Sequence, residues 1–279
     1  MSSVTGRINV IKQPRGGYIK PSEFEVVVID DNITLNTEEN VHSSIVGMVV
    51  DYLTRYLMGT NIVEAFRISL RGAVIAEKMG GAKKALATAD KLLKGIKGLD
   101  NNSVINACKL VTFDVWFRNP LGAMMAKGYN ETNPNKATIE NIQILVKRSM
   151  SFFEKYGPVT KDGFTFEPVD ANNKVHEKMM KTGKGSFGGY TATVDSGDGD
   201  FLTADTLWDF KVSKTKPTNK HTLQLLMYWI MGRHSGQDIF KSITKLGIFN
   251  PRLNTVYILD TVNISEEVIK AVEDDVICY

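Results

Sequence analysis

Apolar positions along this chain recur with two different periods, and the change from one to the other divides it. In the first half the spacing is helical. Val41, Ile45, Met48, Val49, Tyr52, Leu53, Tyr56 and Leu57 repeat at three- and four-residue steps. Asn36 and Glu39 ahead of them have the form of a capping box, so a helix is expected from there to about Leu57, ended by Gly59. Asn61 and Glu64 repeat the cap for a second helix to about Lys78, before Gly80-Gly81. The basic amphipathic run 82–97 predicts a third helix. Ser103 to Arg118 predicts a fourth, stopped by Asn119-Pro120. Residues 128–135 have loop composition, and Ala137 to Tyr156 forms a fifth helix ending at Gly157-Pro158. One strand precedes all of these: Phe24 to Ile29 reads as buried.

From Gly163 onward the period shortens. Strand-like runs appear at Phe164–Phe166, Tyr190–Val194, Phe201–Thr203 and Leu207–Val212, with a strong turn signal at Asp195-Ser196-Gly197-Asp198-Gly199. A helix from about Thr218 to Met231 follows, then strands at Leu246–Phe249 and Thr255–Leu259 and a last helix from about Ser265 to Asp274. Together with the helix at 137–156 this predicts an α/β core of order αβββαβ, a central mixed sheet flanked by helices. A mostly helical region, 1–157, precedes the core at 158–279 and is expected to pack partly on it.

Composition narrows the class. The chain has 279 residues, 43% hydrophobic and 23% charged, ordinary for a globular protein able to bury a core without disulfides. Cys108 and Cys278 are its only cysteines, which argues against a disulfide framework and for a reducing compartment. No signal-like run opens the chain, and none approaches the roughly 20 apolar residues of a membrane span. A cytoplasmic protein without a membrane partner is expected. The net charge of +3 permits nucleic-acid binding through a local basic surface.

Candidate chemistry gathers in a short stretch. Asp200 opens a strand after the glycine-rich turn, and Asp209 and Lys211 bracket Phe210 nine residues later. Residues i and i+2 of a strand share a face, so Asp209 and Lys211 point the same way, and Asp200 joins them if the strands are neighbours. Two carboxylates and the Phe210 carbonyl suit Mg²⁺ or Mn²⁺. Such an ion polarises a phosphodiester, and a lysine beside it stabilises developing charge. Charges within the apolar run Trp208-Asp209-Phe210-Lys211-Val212 are costly unless a metal or mutual pairing relieves them. The following helix is apolar apart from Gln224 and Tyr228, four apart on one face.

Gly197-x-x-Asp200, Asp209-x-Lys211 and Gln224-x-x-x-Tyr228, in that order, resemble the PD-(D/E)XK nuclease superfamily, and within it the RecB-like branch. The similarity covers roughly residues 185–260. It implies a restriction-endonuclease-like core and a Mg²⁺- or Mn²⁺-dependent nuclease, with Asp200 and Asp209 on the metal and Lys211 catalytic. It further implies that Gln224 and Tyr228 line the site. The family often adds an upstream carboxylate, and this branch a histidine; Glu154, Glu64 and His42 are the candidates. DNA is the expected partner ahead of RNA, in phage defence or repair. The alternatives are an inactive nuclease-fold module that binds nucleic acid or a protein, and assembly through the helical half.

Other signals fail. Thr182 to Ser186 lacks the earlier glycine of a phosphate loop, position 178 being Lys. Residues 198–209 have the length of a calcium loop, but Leu202 stands at a ligand position and Thr203 where glycine is required. The cysteines and histidines lack zinc spacing, and no G-x-S-x-G elbow occurs. Lys211, Lys214, Lys216, Lys220 and His221 form a basic segment, either a solvated loop or a phosphate-contacting patch.

Overall fold

The strand-forming runs of the C-terminal half, with one run near the N-terminus, come together in a six-stranded mixed sheet. The computed structural model describes residues 2–279. Near the N-terminus lie β1 (Ser2–Ser3), α1 (Val4–Val10) and β2 (Glu25–Val28). A helical stretch follows: α2 (Ser43–Leu57), α3 (Ile62–Ala65), α4 (Arg67–Lys78), α5 (Ala85–Lys94), α6 (Asn101–Leu110), α7 (Asp114–Arg118), α8 (Pro120–Ala123) and α9 (Lys136–Tyr156). Then come β3 (Lys161–Phe164), α10 (Asn173–Thr182), β4 (Ser186–Phe187), β5 (Tyr190–Thr191), β6 (Val194–Ser196), β7 (Gly199–Leu202) and β8 (Thr206–Phe210). The chain closes with α11 (Asn219–Ser235), β9 (Lys245–Asn250), β10 (Thr255–Asp260) and α12 (Glu266–Ala271), which runs into a π-helical turn at Val272–Ile277. No helix among the described residues is long and apolar enough to cross a membrane.

The chain forms two compact units, Met1–Ile29 with Phe153–Tyr279, and Asp30–Phe152. The boundary expected at 157/158 therefore lies at 152/153, and the first 29 residues belong with the sheet. They do so because their partners are there. β1 pairs in parallel with β6, β2 pairs antiparallel with β10, and the Arg7 guanidinium donates to the carbonyls of Val276 and Asp275 at 2.8 and 2.7 Å.

In the sheet-bearing unit the strand order is β2-β10-β9-β8-β7-β3. β3, β7 and β8 form an antiparallel meander, and the chain then crosses over through α11 to lay β9 parallel to β8. β10 and β2 extend the sheet antiparallel. Central β8 and β9 are buried on both faces, which is why they read as continuous apolar runs. Leu207, Leu246 and Ile248 share a core with Leu223, Leu225, Leu226 and Met227 of α11. On the other face Phe153 and Tyr156 at the end of α9 meet Phe201 and Trp208 at ring-centroid distances of 4.8 and 5.5 Å. Gly247 lies opposite Trp208, where any Cβ would stand 2.3 Å from the indole. The Phe24–Ile29 strand, expected to be buried, is the outer strand instead: Val26 and Val28 are exposed, because only β10 covers it.

The helical unit carries its own core and two buried polar anchors. Asp114, fully buried at the start of α7, accepts from the Tyr52 hydroxyl at 2.6 Å and from Ser69. Arg148 grips Asp31 with Nε–Oδ2 at 2.6 Å and Nη2–Oδ1 at 2.8 Å, and its Nη2 also donates to the Ile33 carbonyl. The capping box expected at Asn36/Glu39 does not form. The Asn141 side chain takes both residues, accepting from the Asn36 N–H and donating to Glu39, and α2 begins only after His42. The second expected helix is split at Phe66 and the fourth at residues 111–113.

Candidate metal centre

The β7–β8 hairpin builds the site. Phe201 pairs with Trp208 and Leu202 with Leu207, and continuing that register sets Asp200 opposite Asp209 on one face. Asp200 Oδ2 accepts from the Phe210 N–H at 2.6 Å. This bond engages the Phe210 N–H; the carbonyl that the sequence suggests as a ligand takes no part in it. On the next strand Gly163 falls opposite Asp200, and a Cβ there would meet open space. Asp200 itself is half-buried.

Asp209 is 2% exposed. Its Oδ1 lies 3.0 Å from Lys211 Nζ, while its Oδ2 is buried with no hydrogen-bond partner. Lys211 stands one residue past the end of β8. Its N–H still donates to the Phe249 carbonyl at 2.9 Å, which continues the ladder and fixes the side chain on the Asp209 face. The ammonium reaches Gln224 Oε1 at 3.1 Å, and Gln224 Nε2 donates to the Tyr228 hydroxyl at 2.8 Å. All five residues predicted from sequence are thus joined on one face, in the chain Asp209–Lys211–Gln224–Tyr228 with Asp200 across the hairpin.

The electrostatics follow from burial and neighbours. Burial by itself would lower the Lys211 pKa, but the charges of Asp209 and Asp200 outweigh it and hold the ammonium above the ordinary lysine value. Burial raises the Tyr228 phenol, Gln224 opposes this by hydrogen bonding, and Asp209, Asp200 and Asp198 add to it, so Tyr228 stays protonated. His221, absent from the expected site except as part of a basic run, stands close enough to feel it. Burial and then the Lys211 charge hold its imidazole below the ordinary histidine value, with Asp209 opposing. Its Nδ1 accepts from the Thr218 N–H at 3.1 Å, so the ring is oriented by the cap of α11.

The donor chemistry fits a hard divalent ion. Paired carboxylates on one face, one with an orphaned buried oxygen, offer the oxygen ligands that Mg²⁺ or Mn²⁺ takes while keeping several waters. Among the described residues no group of three or more His, Cys, Asp or Glu gathers as a metal cluster. Of the upstream candidates, Glu154 is exposed near the end of α9, and Glu64 and His42 belong to the helical unit. His42 serves there as the N-cap of α2.

No family model, curated protein or solved structure matches the chain.

Proposed function

We propose that the sheet-bearing unit is a metal-dependent nuclease core of the PD-(D/E)XK type that hydrolyses phosphodiesters, in DNA ahead of RNA. One observation carries this reading. The buried, partnerless Oδ2 of Asp209 faces the same side as Asp200, with Lys211 pinned beside it. An unpaired carboxylate oxygen in a sheet interior is costly unless something positive completes it. The meander β3-β7-β8, the α11 crossover and the parallel return of β9 after α9 support the same reading, since within the six-stranded sheet they run in the sense of αβββαβ, with α10 and β4–β6 inserted between β3 and β7.

Asp200 and Asp209 would hold the ion, which supplies Lewis-acid polarisation of the phosphodiester and a more acidic water. Lys211 keeps its proton and presents a positive charge toward the group that becomes more negative in the transition state. Gln224 fixes that ammonium by accepting from it, and Tyr228 fixes Gln224 in turn. The test is direct. Purified protein should cut oligonucleotides with Mg²⁺ or Mn²⁺ and fall silent in Asp209→Asn and Lys211→Met; equal cutting by all three would overturn the proposal.

A second reading is favoured by the count of acids. With two carboxylates at the site and no three-residue cluster among the described residues, a module that binds nucleic acid without turnover is the alternative. Oligonucleotide binding without metal-dependent product would select it.

A further inference from the structure

Charge is distributed very unevenly along the chain. Residues 1–22 contain Arg7, Lys12, Arg15 and Lys20 and no acid. Residues 210–237 contain Lys211, Lys214, Lys216, Lys220 and Arg233 and no acid. The rest of the chain holds 25 Lys and Arg against 31 Asp and Glu, so the modest overall +3 conceals two strongly cationic segments in an acidic background.

The fold brings these segments together. α1 packs on α11. The Thr222 hydroxyl donates to the Ile19 carbonyl at 2.6 Å, and Lys220 Nζ donates to Asn9 Oδ1 at 2.9 Å. Gly17, at φ +102°, approaches so closely that a Cβ would lie 2.7 Å from the Asn219 side chain. The strap 12–20 therefore runs along the start of α11, directly after the loop that carries Lys214 and Lys216. Those two side chains and Lys12, Arg15, Lys20 and Lys220 are all exposed. Among the described residues, no ion pair joins Lys12, Arg15, Lys20, Lys216 or Lys220 to a carboxylate. The nearest acid in sequence, Glu23, is occupied by the Lys20 peptide N–H at 3.1 Å.

We infer that the cations of residues 12–20 and 214–220 form one surface that binds the sugar–phosphate backbone of a nucleic-acid strand and leads it to Asp200 and Asp209. The inference rests on the nuclease reading for the identity of the polyanion, and adds to it the N-terminal strap as a substrate-binding element. The physical case is the concentration of positive charge, in which Lys12, Arg15, Lys20, Lys216 and Lys220 are joined to no carboxylate. Cations already neutralised by carboxylates gain little from phosphate, whereas these release the counterions of the strand they meet. The surface is also continuous with the site, because Lys211 begins the run that Lys214, Lys216 and Lys220 continue before Gln224.

The test compares wild type with the triple variant Lys12→Gln/Arg15→Gln/Lys20→Gln, none of which touches the carboxylate pair. Binding of a fluorescent oligonucleotide is followed by anisotropy in EDTA across a NaCl series, so cleavage plays no part. The triple variant should bind about tenfold more weakly or worse at 100 mM salt, with the log–log salt slope reduced by about two to three. A control triple on α10, Lys174→Gln/Lys178→Gln/Lys181→Gln, should keep the wild-type slope. A strap variant with the wild-type slope, or a control that loses as much, would overturn the inference while metal-dependent cutting by the wild type upheld the nuclease reading. Tighter binding to anionic phospholipid vesicles than to the oligonucleotide would overturn it in favour of a membrane surface. A wild type that neither binds nor cuts would remove both.

Discussion

Asp209 gives one carboxylate oxygen to Lys211 at 3.0 Å and leaves the other buried without a partner. A cation that fills this half-satisfied position binds the folded state alone and must stabilise it. Mn²⁺ at a hundred times its dissociation constant should add about 2.7 kcal/mol, a rise of a few degrees in Tm. Asp209→Asn should show no such rise, and thermal melts with and without Mn²⁺ read the difference. An equal rise in the variant would place the ion elsewhere.

The Gln224–Tyr228 bond predicts a graded series. Tyr228→Phe removes only the acceptor of the Gln224 amide and should cost about 1 kcal/mol of stability with a small loss of turnover. Gln224→Leu also strips the ammonium of an acceptor, and should lower metal-dependent kcat about 10²-fold with little change in KM. Steady-state kinetics on one oligonucleotide separates the two.

Gly247 beside Trp208 is a steric prediction about the strand that carries Asp209. Gly247→Ala forces the indole or β9 to move and should destabilise by about 1–3 kcal/mol, measurable by urea denaturation. The displacement would be passed to β8, so activity should fall with stability.

In the helical unit the Arg148 guanidinium hydrogen-bonds the Asp31 carboxylate, which holds its pKa below the ordinary aspartate value. The unfolded chain therefore takes up this proton at a higher pH than the folded one. The stabilisation is complete above the ordinary aspartate range and disappears as pH falls through the lowered folded value. Asp31→Asn should cost about 2–4 kcal/mol at pH 7, since Arg148 is buried, and the gap to wild type should narrow as pH falls below the ordinary aspartate range. Melts at pH 7 and below that range check both the size and the sign.

What could be read from sequence was what local geometry determines. Asp209 and Lys211 share a face because strand side chains alternate, and Gln224 and Tyr228 share one because they stand a helical turn apart. Both relations survive in the structure as short contacts. The elements that escaped depend on partners far along the chain. α10 buries only Met179 among mostly polar residues, and α1 is a single short helix capped by Ser3 and seated on α11. The Asn36/Glu39 signature had the right local form, but Asn141, a hundred residues away, took both groups. His221 looked like one more member of a basic run. Its place beside the site depends on the Thr218 cap and the burial of α11, neither of which has a sequence signature of its own.

The discontinuity of the sheet-bearing unit bears on how the chain is made. Residues 2–29 emerge from the ribosome well before any of their partners, and the 123 residues of Asp30–Phe152 follow before those partners begin to appear. The helical unit is contiguous and can complete its fold during synthesis. The strap and β2 must wait as an open, cationic leader until α11 and β10 are translated. The strap should therefore close on α11 only after the hairpin that carries Asp200 and Asp209 has been made.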